Sequence, residues 1–263
     1  MVPAIRPPAS IGKVVAVGVL GGLLAGVFGV GGGIVMVPLL VFLIGLDQRT
    51  AVTTSLLAII PISVLGMLGY AFGSAVAWQA GLVMGVGSVV GGQLGVRLLA
   101  HVPVPALQLG FAALLLYSAY RLVQPASHTE AASGSGPWWL LLAVGVVAGL
   151  LAGLLGIGGG IVLIPGLVLL AGVDLTTARG TSLLVVLITA ATASVTTVRS
   201  GRTATAVGVW AGLIGAPAAL VASLGSQAIP QQQAAWLFAG LMVLAAVQLV
   251  RKAVTREPPV ESA

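Results

Sequence analysis

From residue 11 to residue 45 the chain runs almost without a polar side chain. In its middle stands Gly-Val-Gly-Gly-Gly-Ile-Val, Gly29 to Val35, followed by Pro38. The arrangement returns within the apolar run 138–172 as Gly-Ile-Gly-Gly-Gly-Ile-Val, Gly156 to Val162, followed by Pro165. Glycine inside a helix costs roughly 1 kcal/mol relative to alanine and loosens the backbone. At membrane depth, broken backbone is tolerated only where protein or a water-filled cavity covers it, and many transporters build their binding sites this way.

The setting is lipid. Hydrophobic residues make up 59% of the chain and charged ones only 6%, with a mean hydropathy of +1.17; soluble domains carry about 25% charged residues. The apolar runs are continuous over about 20 residues, as membrane helices require, whereas barrel strands would alternate over segments of roughly 10. The 38 glycines suit close helix–helix approach. The expected fold is an all-α polytopic membrane protein.

The net charge of +6 comes from basic residues scattered singly or in pairs between apolar runs. That pattern favours a positive-inside topology over nucleic-acid binding, and no nucleic-acid partner is expected. The absence of cysteine excludes disulfides, thiolate metal sites and cysteine catalysis. Arg6 and Lys13 precede an apolar stretch with no convincing small-residue cleavage site, so this stretch reads as a retained first segment.

Hydropathy divides the chain into eight apolar segments at about 11–45, 51–72, 78–99, 106–122, 138–172, 176–198, 204–225 and 232–250. Residues 124–137, rich in Ser, Gly, Ala and Pro, are composed like a flexible linker. They separate a first repeat, 1–123, from a second, 138–263, which ends in a short tail. A shift of 127 positions aligns Gly22 with Gly149, Pro38 with Pro165, Asp47 with Asp174 and Ser55 with Ser182. Between Gly22 and Leu57 it gives 23 identities in 36 positions. A duplication explains this better than shared apolar composition, because Asp, Pro, Thr and Ser are among the matches.

Segments one and five are too long for one straight crossing: about 34 residues make a helix of roughly 51 Å against a hydrocarbon core of about 30 Å. The preferred reading is re-entrant, with a half-helix, a glycine turn near mid-membrane, and a second half-helix starting near Ile34 or Ile161. The alternative is a full span to about Phe28 followed by a short tilted or interfacial helix. With single crossings, Lys and Arg divide eight to three in favour of the side of the termini; with hairpins they divide nine to two. Both schemes place the termini in the cytoplasm. The hairpin version makes the two repeats inverted, a common transporter plan.

Trp78, Trp138, Trp139 and Trp236 stand near segment ends and read as interfacial anchors, while Trp210 reads as packing. Asp47 and Asp174 each fall in Gly-x-Asp-x-x-Thr-Ala, where helix N-capping is preferred over a proton or cation site. Seven residues on comes Thr-Ser-Leu-Leu, at Thr54 and at Thr181. Such hydroxyls either return a hydrogen bond to the preceding turn or line a polar cavity. A cavity of hydroxyls, glycine N–H groups and helix N-termini has a positive bias that suits a small anion. Arg97, Arg199 and Arg202 are candidates to attract the same charge, although snorkelling at the interface is the preferred reading of each.

The paired Phe/Leu-Gly-x-Gly-Gly-Gly-x-x-x-x-Pro motif, the Thr-Ser-Leu-Leu after it, and two four-segment halves resemble the sulfite exporter TauE/SafE family of bacterial membrane transporters. The resemblance covers nearly the whole chain. It implies transport of small sulfur-containing anions, such as sulfite or sulfonates, across the bacterial inner membrane. Carried over by motif, the substrate-binding positions are Gly29, Gly31, Gly32, Gly33, Pro38, Thr54 and Ser55, with Gly156, Gly158, Gly159, Gly160, Pro165, Thr181 and Ser182. One departure is Thr53, where the second repeat has Gly180 and so the family-like Gly-Thr-Ser.

The expectation is therefore a secondary transporter whose glycine turns meet near the bilayer midplane. Its partners are a small anion and the bilayer, any coupling proton travels on the anion itself, and no cofactor, metal or catalytic residue is called for. A passive anion channel, a carrier of small carboxylates and a non-transporting partner protein are the competing readings. An intramembrane enzyme is disfavoured, since His101 and His128 fall in predicted loops and no acid pair is buried.

Overall fold

The computed structural model describes residues 11–98, 104–124, 137–155, 159–199 and 203–254. Gly156, Gly158, His101, His128, Arg202 and linker residues 125–136 lie outside them, as do the side chains of Arg97 and Arg199. The described residues form helices and turns with no strand. In chain order the helices are α1 (Ile11–Phe28), α2 (Gly33–Leu39, continued by a π-helical turn Leu40–Ile44), α3 (Gln48–Phe72), α4 (Trp78–Leu98), α5 (Val104–Val123), α6 (Trp138–Leu155), α7 (Gly160–Leu170), α8 (Leu175–Arg199), α9 (Thr205–Ser226) and α10 (Gln231–Val254). The π-helical turn follows Pro38, which has no N–H for the regular ladder.

Small residues set the helix directions. Gly18, Gly22 and Gly26 of α1 face Ala211, Gly215 and Ala219 of α9 in that order, and Gly208 and Gly212 of α9 face Thr54 and Ala58 of α3. Helices α1, α3 and α9 therefore run the same way. Gly145 and Gly149 of α6 face Met84 and Ser88 of α4, while Gly81 and Gly85 of α4 face Leu184 and Ile188 of α8. That makes α4, α6 and α8 a second parallel set. Gly66 of α3 meets Leu183 while Gly180 of α8 meets Tyr70, so the two sets are antiparallel.

Because α1 and α3 enter from the same face of the bundle, residues 29–47 must carry the chain back across. Met36 packs on Gly21, and Gly32 on Gly21 and Ala25, as in a hairpin. The expected half-helix before the turn is corrected: α1 is a full helix of 18 residues, about 27 Å long. Gly18, Gly22 and Gly26 are sealed against α9 and Gly21 against Met36, so they propagate the helix; only the glycines beyond Phe28 break it. The second arm starts at Gly33, and its counterpart at Gly160, within a residue of the expected Ile34 and Ile161.

Helix starts recur at the 127-residue spacing: 11 and 138, 33 and 160, 48 and 175, 78 and 205, 104 and 231. Contacts recur with the partners exchanged, Gly18–Ala211 reappearing as Gly145–Met84 and Gly22–Gly215 as Gly149–Ser88. Helices α2, α3, α7 and α8 fill the centre, where α7 is buried along most of its length. Apolar side chains such as Leu20, Leu82, Val86, Leu213 and Leu244 are exposed on the outer helices, a lipid-facing pattern that soluble monomers avoid. Among the described residues, four helices meet both length and apolarity for a membrane crossing, namely Ile11–Phe28 and the stretches Thr50–Phe72, Leu175–Val195 and Thr205–Ser226. Trp78, Trp138 and Trp139 open α4 and α6, and Trp236 lies early in α10. All four are exposed on the face where α1 ends, as interfacial rings prefer.

Candidate functional site

The break after α1 is a torsional requirement. Gly29, Gly31 and Gly32 have φ of 70°, 76° and 75°, a left-handed region where a side chain clashes with its own backbone. Gly32 and Gly159, both left-handed, occupy the N-cap positions of α2 and α7. Space is as restrictive as torsion. A Cβ on Gly31 would stand 2.6 Å from Val186 Cγ1, and Ile59 lies beside it. Ile59 and Val186 are near the midpoints of α3 and α8, which puts Gly31 at the middle of the bundle.

The two turns meet there. A Cβ on Gly160, the first residue of α7, would lie 2.7 Å from Val30 Cα in the turn before α2. The N-termini of both short helices thus converge, and their unpaired first N–H groups give this point a positive bias. On the other side of the turn, Gly29 packs on the backbone of Arg179, and the Ser182 hydroxyl donates to the Gly29 carbonyl. The structure therefore brings together Gly29, Gly31, Gly160 and Ser182, while Gly32 and Gly33 are buried in the same turn.

The remaining positions stand elsewhere. Thr54 Oγ1 accepts from Ala204 N at 3.1 Å, at the start of α9, and Thr181 Oγ1 accepts from Ala77 N at 2.8 Å, at the start of α4. These are one contact with the halves exchanged, because the 127-residue shift that relates Thr54 to Thr181 also relates Ala77 to Ala204. Because Tyr70 sits opposite Gly180, the level of Thr54 along α3 is about 15 residues, or 22 Å, from that of Thr181. The two hydroxyl pairs therefore flank the central turns on opposite sides. Ser55 Oγ donates to Val52 O at 2.8 Å. Pro38 lies inside α2, and Pro165 borders an apolar cavity of about 370 Å³ between α5, α6 and α7 that contains none of the turn glycines.

Asp47 and Asp174 both act as helix caps. Asp47 accepts from Thr50 N at 3.0 Å, and Asp174 Oδ1 from Thr176 N and Thr177 N at 3.0 Å each. Gly180, where the first repeat has Thr53, lets the α3–α4 connection approach α8: a Cβ there would meet Ala75 O and lie 2.8 Å from Tyr70 Cβ.

Sequence reasoning missed a polar cluster beside the Gly29 turn. The Tyr70 hydroxyl donates to Gly26 O at 2.7 Å near the end of α1 and shares a 2.8 Å bond with Ser226 Oγ. Arg179, assigned by charge counting to a membrane face, is buried one turn into α8. A signal was present. At the 127-residue shift, between the matching Asp174 and Thr181, Arg179 stands where the first half has the apolar Val52.

The sequence profile of the sulfite exporter TauE/SafE family matches residues 14–249. A probable membrane transporter protein of Methanocaldococcus jannaschii is 29% identical over 157 residues, 57% of this chain and 59% of the relative. One from Bacillus subtilis is 27% identical over 213 residues, 72% of this chain and 78% of the relative. One from Xylella fastidiosa is 36% identical over 86 residues, 33% of each chain. The chain thus spans from a third to about four fifths of the relatives it matches. No solved structure matches it.

Proposed function

This chain belongs to the sulfite exporter TauE/SafE family of membrane transporters, and on that premise we propose that it is a secondary transporter of small sulfur-containing anions such as sulfite or a sulfonate. The contact between Gly160 and Val30 carries the reading, since two breaks 127 residues apart meet in the centre of the bundle. Backbone N–H groups there favour negative charge, and neither of the two described acidic residues, Asp47 and Asp174, opposes it. The anion passes from one hydroxyl pair, Thr54 and Ser55, by way of the glycine turns to the other, Thr181 and Ser182. Each pair stands on one side of the centre, as an alternating-access carrier with inverted halves requires.

The nine-to-two division of basic residues assigns the face where α1 begins to the cytoplasm of a bacterial inner membrane. The chain performs no catalysis in this reading, and any coupling proton rides on the anion. The test is uptake by proteoliposomes carrying the purified protein, with sulfite, thiosulfate, methanesulfonate and acetate compared against and along a gradient. Faster movement of the sulfur anions, sustained against an opposing gradient of the same anion when a pH gradient is imposed, supports the proposal. Equal movement of acetate, or flux only down the gradient, removes the substrate class or the carrier mechanism respectively.

A further inference from the structure

Arg179 is the largest fully buried side chain of the described residues, 1% exposed. Its Nη2 donates to Ala234 O on α10 at 3.2 Å, its guanidinium lies beside the Tyr70 hydroxyl, and its Nε has no partner. Arginine does not shed its proton in a protein, so this is a permanent positive charge. A buried charge without a counter-charge is strongly destabilising. The described acidic residues, Asp47 and Asp174, are engaged as caps, and the neighbours of Arg179 are a carbonyl, a phenol and the end of α1. Neutral acceptors offset such a cost only in part.

The duplicated scaffold does not account for the residue. Position 52, which corresponds to 179, is valine, and position 197, which corresponds to Tyr70, is a threonine whose hydroxyl bonds back to Ala193 O at 3.1 Å. The charge thus stands on one side of the molecule only, against the turn where Ser182 holds the Gly29 carbonyl. Nε–H is the guanidinium donor left without a partner, and it shares one edge of the group with Nη2, the side-on fork that matches two oxygens of an oxyanion.

We propose that Arg179 is the anion-coordinating residue on the face where α1 ends, its unpartnered Nε–H, with the Nη2 edge beside it, donating to oxygens of a small oxyanion next to the Gly29 turn. The proposal deepens the transport reading and rests on it for the route by which the ion arrives. The ion supplies the missing counter-charge, and Tyr70, tied to Gly26 and Ser226, holds the guanidinium in place.

The experiment compares parent, Arg179→Gln and Arg179→Lys in two assays. One is the melting temperature of purified protein titrated with sulfite, methanesulfonate, phosphate or acetate at constant ionic strength. The other is the concentration dependence of flux in proteoliposomes. The expected result is an anion-dependent rise in the parent that is lost in Arg179→Gln, with KM raised about 100-fold. Arg179→Lys keeps the charge without the fork and recovers only part of the affinity. If Arg179→Gln shifts the melting temperature but keeps the parent's anion dependence and KM, the residue is structural and the proposal fails while the transport reading stands. If Arg179→Gln does not elute as folded protein, Arg179→Lys decides, a parent-like KM overturning the proposal and a raised KM at unchanged maximal rate supporting it. If the parent carries no sulfur anion yet shows an Arg179-dependent shift with phosphate or acetate, the subsite stands and the substrate class falls. An unshifted parent with all four anions overturns the proposal, and the parent's flux of the sulfur anions decides separately whether the transport reading stands.

Discussion

Ser182 on α8 donates its hydroxyl to the carbonyl of Gly29, 153 residues earlier, and also to the Arg179 carbonyl at 3.0 Å. That bond ties the break in the first half to the first turns of a helix in the second. Ser182→Ala leaves the buried Gly29 carbonyl without this donor and is expected to destabilise the protein by about 1–3 kcal/mol. Unfolding in mixed detergent micelles measures the loss, and Ser182→Thr is expected to restore part of it. Parent-like stability in the alanine variant would show that another donor satisfies Gly29.

Thr54 and Thr181 each receive the N–H that precedes a long helix, Ala204 for α9 and Ala77 for α4. Thr54→Val and Thr181→Val are expected to cost about 1 kcal/mol each, the usual effect of losing an acceptor at a helix start. Because the two sites are about 22 Å apart along the α3–α8 pair, the double variant is expected to show the sum to within about 0.5 kcal/mol. A strongly non-additive double variant would mean that the two ends of the bundle are coupled.

Gly160→Ala puts a methyl group where Val30 Cα stands 2.7 Å away. Backbone cannot yield as a side chain does, so the turns must separate. Flux is expected to fall about tenfold or more, since the crowding costs about 1–3 kcal/mol. Gly240→Ala is the matched control, because nothing lies within 4 Å of its added carbon and flux should stay at the parent level. Equal flux from both variants would remove the central role of the meeting turns.

The cysteine-free chain allows each face to be labelled without background. Ser74, exposed between α3 and α4, lies on the face where α1 ends, while Thr205 opens α9 on the other. A membrane-impermeant thiol reagent is expected to modify Ser74→Cys in intact cells and Thr205→Cys only after permeabilisation. The reverse pattern would invert the orientation drawn from the basic residues.

Much of the helix plan was legible because its causes are local. A helix that must satisfy its backbone in lipid shows itself as a contiguous apolar run, and the boundaries 78–99 and 204–225 fall within a residue of α4 and α9. The Gly29 to Gly33 break was equally legible, since a left-handed torsion asks for glycine wherever it occurs. The length of the arm before it was not. That Gly18, Gly22 and Gly26 belong to a full helix shows only once α9 is seen covering them.

What the amino-acid sequence determined by itself is a helical membrane protein with two matching breaks and a motif that marks its family. Tertiary structure alone decided that the breaks touch, that Thr54 and Thr181 stand on opposite sides of them, and that Arg179 lies buried beside Tyr70. The reason is physical. Hydropathy and backbone torsion are properties of neighbouring residues, whereas the surroundings of a charge depend on helices far apart in the chain. Arg179 reads as an interfacial cation from its neighbours in sequence, and only the packing of α3, α8 and α10 encloses it.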